Sequence, residues 1–154
     1  MRNAKKFDDR VTIGCVPDSE DLAELKELGF KTLIDLRDED EKFGGSVEKR
    51  AVGLGLGYVS IPIRREEIKE DDLTQFHQAV YEEEKGPIYA FSRFGKRPLA
   101  FLLLFEGKGK DEHLPMIFRK ASHFGLNLQG DQILQDFLVN SYNRLQLPKR
   151  RMHP

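Results

Sequence analysis

The residues of this chain best suited to chemistry lie in one short run, Ser92-Arg93-Phe94-Gly95-Lys96-Arg97. The β-forming stretch "GPIYAF" leads into it, and Pro98 opens an apolar stretch that reads as a helix over 98–106. A strand, a short basic loop with one glycine and a helix together can build a phosphate cradle. The first amides of a helix lack partners inside the helix, and the helix dipole adds partial positive charge. Arg93, Lys96 and Arg97 supply full charges, and an arginine can grip two phosphate oxygens at once. Ser92 heads the loop with a hydroxyl that is hardly ionised near neutral pH, and no histidine or lysine base stands in the local sequence to activate it. Such a hydroxyl hydrogen-bonds to an oxyanion but attacks it poorly. On spacing alone, a merely solvated basic loop is an equal alternative.

The elements that must position this loop alternate along the chain. "RVTIGC" reads as a strand, and "PDSEDLAELKELGF" as a helix with Asp18 as N-cap, Leu22, Leu25 and Leu28 on one face and Gly29 at its end. "KTLIDLR" is the next strand. "EKFGGSVEKRAVGLGLG" is a weaker helix, because glycines weaken helices, and "YVSIPI" is a strand closed by Pro62. Leu73, Phe76, His77, Val80 and Tyr81 fall on one face of a strong helix. After "GPIYAF" and the helix over 98–106, "EHLPMIFRKASHFG" and "DQILQDFLVNSYNRL" are both helical. This alternation predicts an α/β fold, a mainly parallel central sheet flanked by helices with extra helices at the C-terminal end. Residues 1–9 read as a tail, 10–145 as one domain and 146–154 as a basic tail. Ligands of open parallel sheets sit at the carboxyl ends of the strands, where the loop 92–97 lies.

At 154 residues the chain has room for one domain with a substantial core. Its 25 basic residues nearly cancel 26 acidic ones, so bulk charge gives no case for nucleic acid or an anionic membrane as partner. The longest apolar run, Leu99 to Phe105, is too short to span a bilayer, and "MRNAKKFDD" has no apolar signal-like core. A single cysteine, Cys15, precludes an internal disulfide and fits a cytoplasmic location. Beside Pro17 and acidic residues it reads as a packed small residue rather than a nucleophile. His77, His113 and His123 lack ligand spacing, so no metal site is expected. Asp35 and Arg37 either support the loop from a neighbouring strand or form a structural ion pair. Phe94 at the loop tip either folds over the anion site or offers a partner an apolar contact.

Several segments resemble, in order and spacing, the cysteine-dependent phosphatases of the tyrosine and dual-specificity type. The nearest likeness is to the bacterial beta-lactamase-hydrolase-like phosphatase family. The segments are "IGCVPDSEDLAELKELGFKTLIDLR", "GYVSIPI", the loop itself and "KASHFGLNLQG", and the resemblance spans roughly residues 10 to 145. It implies that the loop binds phosphate through residues 92–97, that position 92 is that of a thiolate nucleophile, that Arg97 clamps the phosphate oxygens, and that an acid protonates the leaving oxygen. It implies no cofactor, and no Gly-x-x-x-x-Gly-Lys-Ser/Thr motif is present.

The chain departs from that pattern around the chemistry. Serine stands for cysteine at 92, Phe91 for a supporting histidine, and Pro98 for a hydroxyl residue. Proline there is expected to draw Arg97 away from helical angles. After "IPI" come Arg64, Arg65, Glu66 and Glu67, so Glu66 is the nearest candidate acid, while Asp71 or Asp72 suits the cap of the next helix. Serine alone is also what a trapping substitution would leave, but four departures together favour a naturally degenerate site. The expectation is a pseudophosphatase that binds phosphate, sulfate or a phosphorylated small molecule or protein with little or no turnover. The alternatives are an active phosphomonoesterase, and an interaction domain whose pocket Phe91 and Phe94 fill.

Overall fold

A computed structural model describes residues 4–82, 86–125 and 130–144. Five strands form one sheet: β1 (Lys5–Lys6), β2 (Val11–Gly14), β3 (Thr32–Asp35), β4 (Gly57–Ser60) and β5 (Ile88–Phe91), in the order β1-β2-β5-β3-β4. All neighbours run parallel except β1, which pairs antiparallel with β2. Residues 5 and 6 are therefore an edge strand and not part of a tail. Two exposed lysines carry no alternation of apolar and polar residues, which is why the sequence did not reveal them.

The helices are α1 (Ser19–Glu27), α2 (Val47–Gly53), α3 (Glu70–Tyr81), α4 (Lys96–Gly109), α5 (Leu114–His123) and α6 (Gln132–Arg144), with a 3-10 turn at Glu39–Glu41. Asp18 caps α1 by accepting from the Asp21 N–H at 2.8 Å. The helix stops at Glu27, where Gly29 takes φ +91°, so Leu28 becomes an exposed cap residue instead of the third core leucine. The glycines of 44–57 shorten α2 to seven residues, capped by Ser46. Asp72 takes part in capping α3 by accepting from the Lys69 N–H at 2.9 Å. The basic tail and residues 126–129 of "KASHFGLNLQG" lie outside the described residues.

Both faces of the sheet are covered, so its central strands are buried along almost their whole length. β5 divides its side chains by the period of two: Ile88 and Ala90 join a core with α3–α6, while Tyr89 and Phe91 join a smaller core with α1 and α2. Gly14, Phe91, Asp35 and Ser60 line up across the sheet at the carboxyl ends of β2, β5, β3 and β4. The loop to α4 leaves the central strand at that row. From Leu99 to Phe105 every residue of α4 is buried, which fixes the helix whose N-terminus closes the loop.

Candidate functional site

Gly95 shapes the loop. It takes φ +80°, a left-handed backbone open to glycine, and a Cβ there would stand 3.2 Å from the Gly14 carbonyl oxygen. Its N–H donates to Ser92 Oγ at 3.1 Å. Ser92 is 1% exposed, and its own O–H finds no acceptor among the described residues. The N–H groups of Arg93, Phe94, Lys96 and Arg97 likewise have no intramolecular acceptor among the described residues. A buried hydroxyl without an acceptor and unpaired amides at a helix start are groups suited to an oxyanion.

Arg97 behaves otherwise than Pro98 suggested. The helix starts at Lys96, so Arg97 is helical. Proline is tolerated there because first-turn N–H groups have no intrahelical partner to lose. The guanidinium reaches into the interior, where Nη1 donates to Glu41 Oε1 at 2.8 Å and to the carbonyls of Ile63 (2.9 Å) and Leu36 (3.2 Å), and Nη2 donates to Glu41 Oε2 at 2.8 Å. Burial pushes the Glu41 carboxyl up, but the hydrogen bonds and charge of Arg97, the Asp38 N–H and the charge of Arg65 hold its pKa below the ordinary value. Arg65 Nε lies 3.7 Å from Glu41 Oε2.

Beneath the loop, Asp35 and Arg37 form a bidentate ion pair at 2.8–3.0 Å, both side chains buried. Tyr58 donates to Asp35 at 2.5 Å, and burial together with that carboxylate raises the phenol pKa. The Arg37 guanidinium lies 5.5 Å from the Phe91 ring centroid, and the Leu36 N–H donates to the Phe91 carbonyl. The pair is thus structural and also braces the strand that leads into Ser92. Phe91, where the related histidine would stand, stacks on Tyr89 within the α1–α2 core.

Above the loop is a cavity of about 160 Å³ lined by Arg65, Ile68, Ser92, Phe94, Lys96, Arg97, Asp131 and Leu134. Phe91 points away from it. Phe94 forms a wall and is 64% exposed, with Arg93 5.1 Å from its ring centroid and 5.7 Å from that of Phe43. The cavity accordingly gathers Ser92, Phe94, Lys96 and Arg97, whereas the Arg93 side chain sits between two rings. Glu66 lines a separate cavity with Glu67, Lys69, Asn140 and Arg144. Cys15 borders a third, beside Phe94 and Lys96, and burial raises its thiol pKa.

Three residues of the site were not singled out from the sequence. Arg65 could have been, since it stands second after the "IPI" segment that follows β4. Glu41 is hidden in the charged run "RDEDEK", where nothing marks one acid above its neighbours. Asp131 comes from the start of α6, far along the chain, and only tertiary packing brings it over the loop.

The comparisons agree with this architecture. A DUF442 protein of Shewanella putrefaciens CN-32 superposes with a TM-score of 0.78 at 18% identity, over 96% of this chain and 93% of that one. TpbA of P. aeruginosa, in a cysteine-to-serine variant in complex with phosphotyrosine, gives 0.72 at 15% identity, over 92% and 88%. These likenesses show the fold. A beta-lactamase hydrolase-like protein of Agrobacterium fabrum (strain C58) is 35% identical over 107 residues, 67% of this chain, which spans about a quarter (25%) of that relative's length. Residues 7–104, from ahead of β2 through the loop 92–97 and into α4, match the family described as beta-lactamase hydrolase-like protein, phosphatase-like domain, and the chain belongs to that family.

Proposed function

We propose that this domain is a pseudophosphatase: it binds phosphate, sulfate or a phosphorylated ligand in the loop 92–97 with little or no turnover. The buried Ser92 hydroxyl carries the reading. It sits at the head of a loop of free amides, with a proton to donate and no acceptor of its own among the described residues. A bound oxyanion would supply the missing acceptor. Turnover would require Ser92 or a water molecule as nucleophile, and no base hydrogen-bonds to Ser92 among the described residues. Glu66, the acid expected from the sequence, lines a different cavity. Arg97 serves the site from a fixed position, its charge offset by Glu41. TpbA supports the reading by analogy, since its serine variant holds phosphotyrosine. The lone cysteine is in keeping with a reducing, cytoplasmic setting.

The test is calorimetric titration of the protein with phosphate and vanadate, beside an assay of 4-nitrophenyl phosphate hydrolysis. Saturable oxyanion binding without release of nitrophenol supports the reading. Hydrolysis that Ser92→Ala abolishes would replace it with an active phosphomonoesterase, and absence of binding would leave the surface around Phe94 as the domain's functional feature.

A further inference from the structure

The charges around the cavity do not match a doubly charged ligand. Three cations border it, Arg65, Lys96 and Arg97. Two carboxylates act against them: Glu41, already engaged by Arg97 and 3.7 Å from Arg65, and Asp131, which lines the cavity itself. One net positive charge is left. Asp131 is held in place, because its Oδ1 accepts from the Leu134 N–H at 3.1 Å and its carbonyl accepts from the Gln135 N–H at 3.0 Å, making it the cap of α6. The cap ties the carboxylate to the rim of the cavity. Ile68, Phe94 and Leu134 supply apolar wall.

Resting on the oxyanion-binding reading above, we propose that Asp131 makes this cavity selective for singly charged oxyanion esters, sulfate monoesters or phosphodiesters, over doubly charged phosphate monoesters. One net positive charge attracts a dianion only about twice as strongly as a monoanion, whereas the cost of taking an ion out of water rises with the square of its charge, about fourfold. With Asp131 on the rim, the cavity therefore offsets that cost for a monoanion and not for a dianion. The loop amides and Ser92 can hydrogen-bond to the oxygens of either ligand. The apolar walls receive the ester group.

Three probes of nearly equal shape test the proposal: 4-nitrophenyl phosphate, 4-nitrophenyl sulfate and methyl 4-nitrophenyl phosphate. Each is titrated calorimetrically into the whole chain at about pH 8, where a phosphate monoester, with its second pKa near 6, is a dianion and the other two carry one charge. The wild type should bind at least one singly charged probe more tightly than the dianion, and which one it prefers separates sulfate esters from phosphodiesters. Asp131→Asn and Asp131→Ser keep a capping side chain, so they should fold, and each should move the ratio about tenfold toward the dianion. A wild type that prefers the dianion, or variants that leave the ratio where it was, overturns the charge rule while leaving oxyanion binding intact. Failure of all three probes to bind overturns the oxyanion reading itself, and this proposal with it.

Discussion

Arg97 and Glu41 meet through two parallel contacts of 2.8 Å, with side chains only 6% and 5% exposed. The arginine at the end of the loop 92–97 is thus anchored by a carboxylate of the Glu39–Glu41 turn and by two backbone carbonyls. Glu41→Gln would leave the guanidinium buried beside a neutral amide. Breaking one side of a buried pair costs roughly 3–5 kcal/mol, and because the amide retains one acceptor we expect the lower end, read from urea unfolding.

The same pair fixes a pH dependence. The Glu41 pKa is held below its ordinary value, so its contribution to stability is complete above the ordinary range, about 4.3, and is lost as pH falls through the lowered folded value. Wild type should therefore lose stability more steeply than Glu41→Gln as acid is added below about pH 4, measured by thermal melts across that range.

Gly95→Ala tests the loop geometry. An L-residue at φ +80° is strained by about 1–2 kcal/mol, and the new methyl would crowd the Gly14 carbonyl. The variant should fold with a lowered melting temperature and lose most of its phosphate affinity, because the amides around Ser92 would be displaced.

Phe94 is a wall and not a plug. Since the residue is 64% exposed, Phe94→Ala should change stability by no more than about 0.5 kcal/mol. Titration should show inorganic phosphate bound as before and an aryl ester bound several-fold more weakly. Tighter phosphate binding by the variant would mean that the ring closes the site.

The loop and the fold were readable because their signals are local. Apolar strands, a glycine in a basic loop and an apolar helix stand next to one another in the chain, and α3 shows its buried face as Leu73, Phe76 and Val80. What escaped was decided by tertiary contacts. Glu41 looks like any acid of its charged run until Arg97 reaches it across the fold, and Asp131 faces the loop only because α6 packs there. Pro98 misled for a related reason: a local rule about the residue before proline yielded to a helix start fixed by the burial of 99–105. Leu28 fitted the helical spacing of α1, but the helix ended one residue before it.

Replacing Ser92 with cysteine tests the central claim most directly. Wild type and Ser92→Cys are compared for vanadate binding and for turnover of an aryl phosphate in one buffer. If the cradle is intact and only the nucleophile is missing, both proteins bind vanadate, wild type shows no turnover, and the cysteine variant gains it. Wild-type turnover equal to that of the variant would contradict the claim, and so would the failure of either protein to bind the oxyanion.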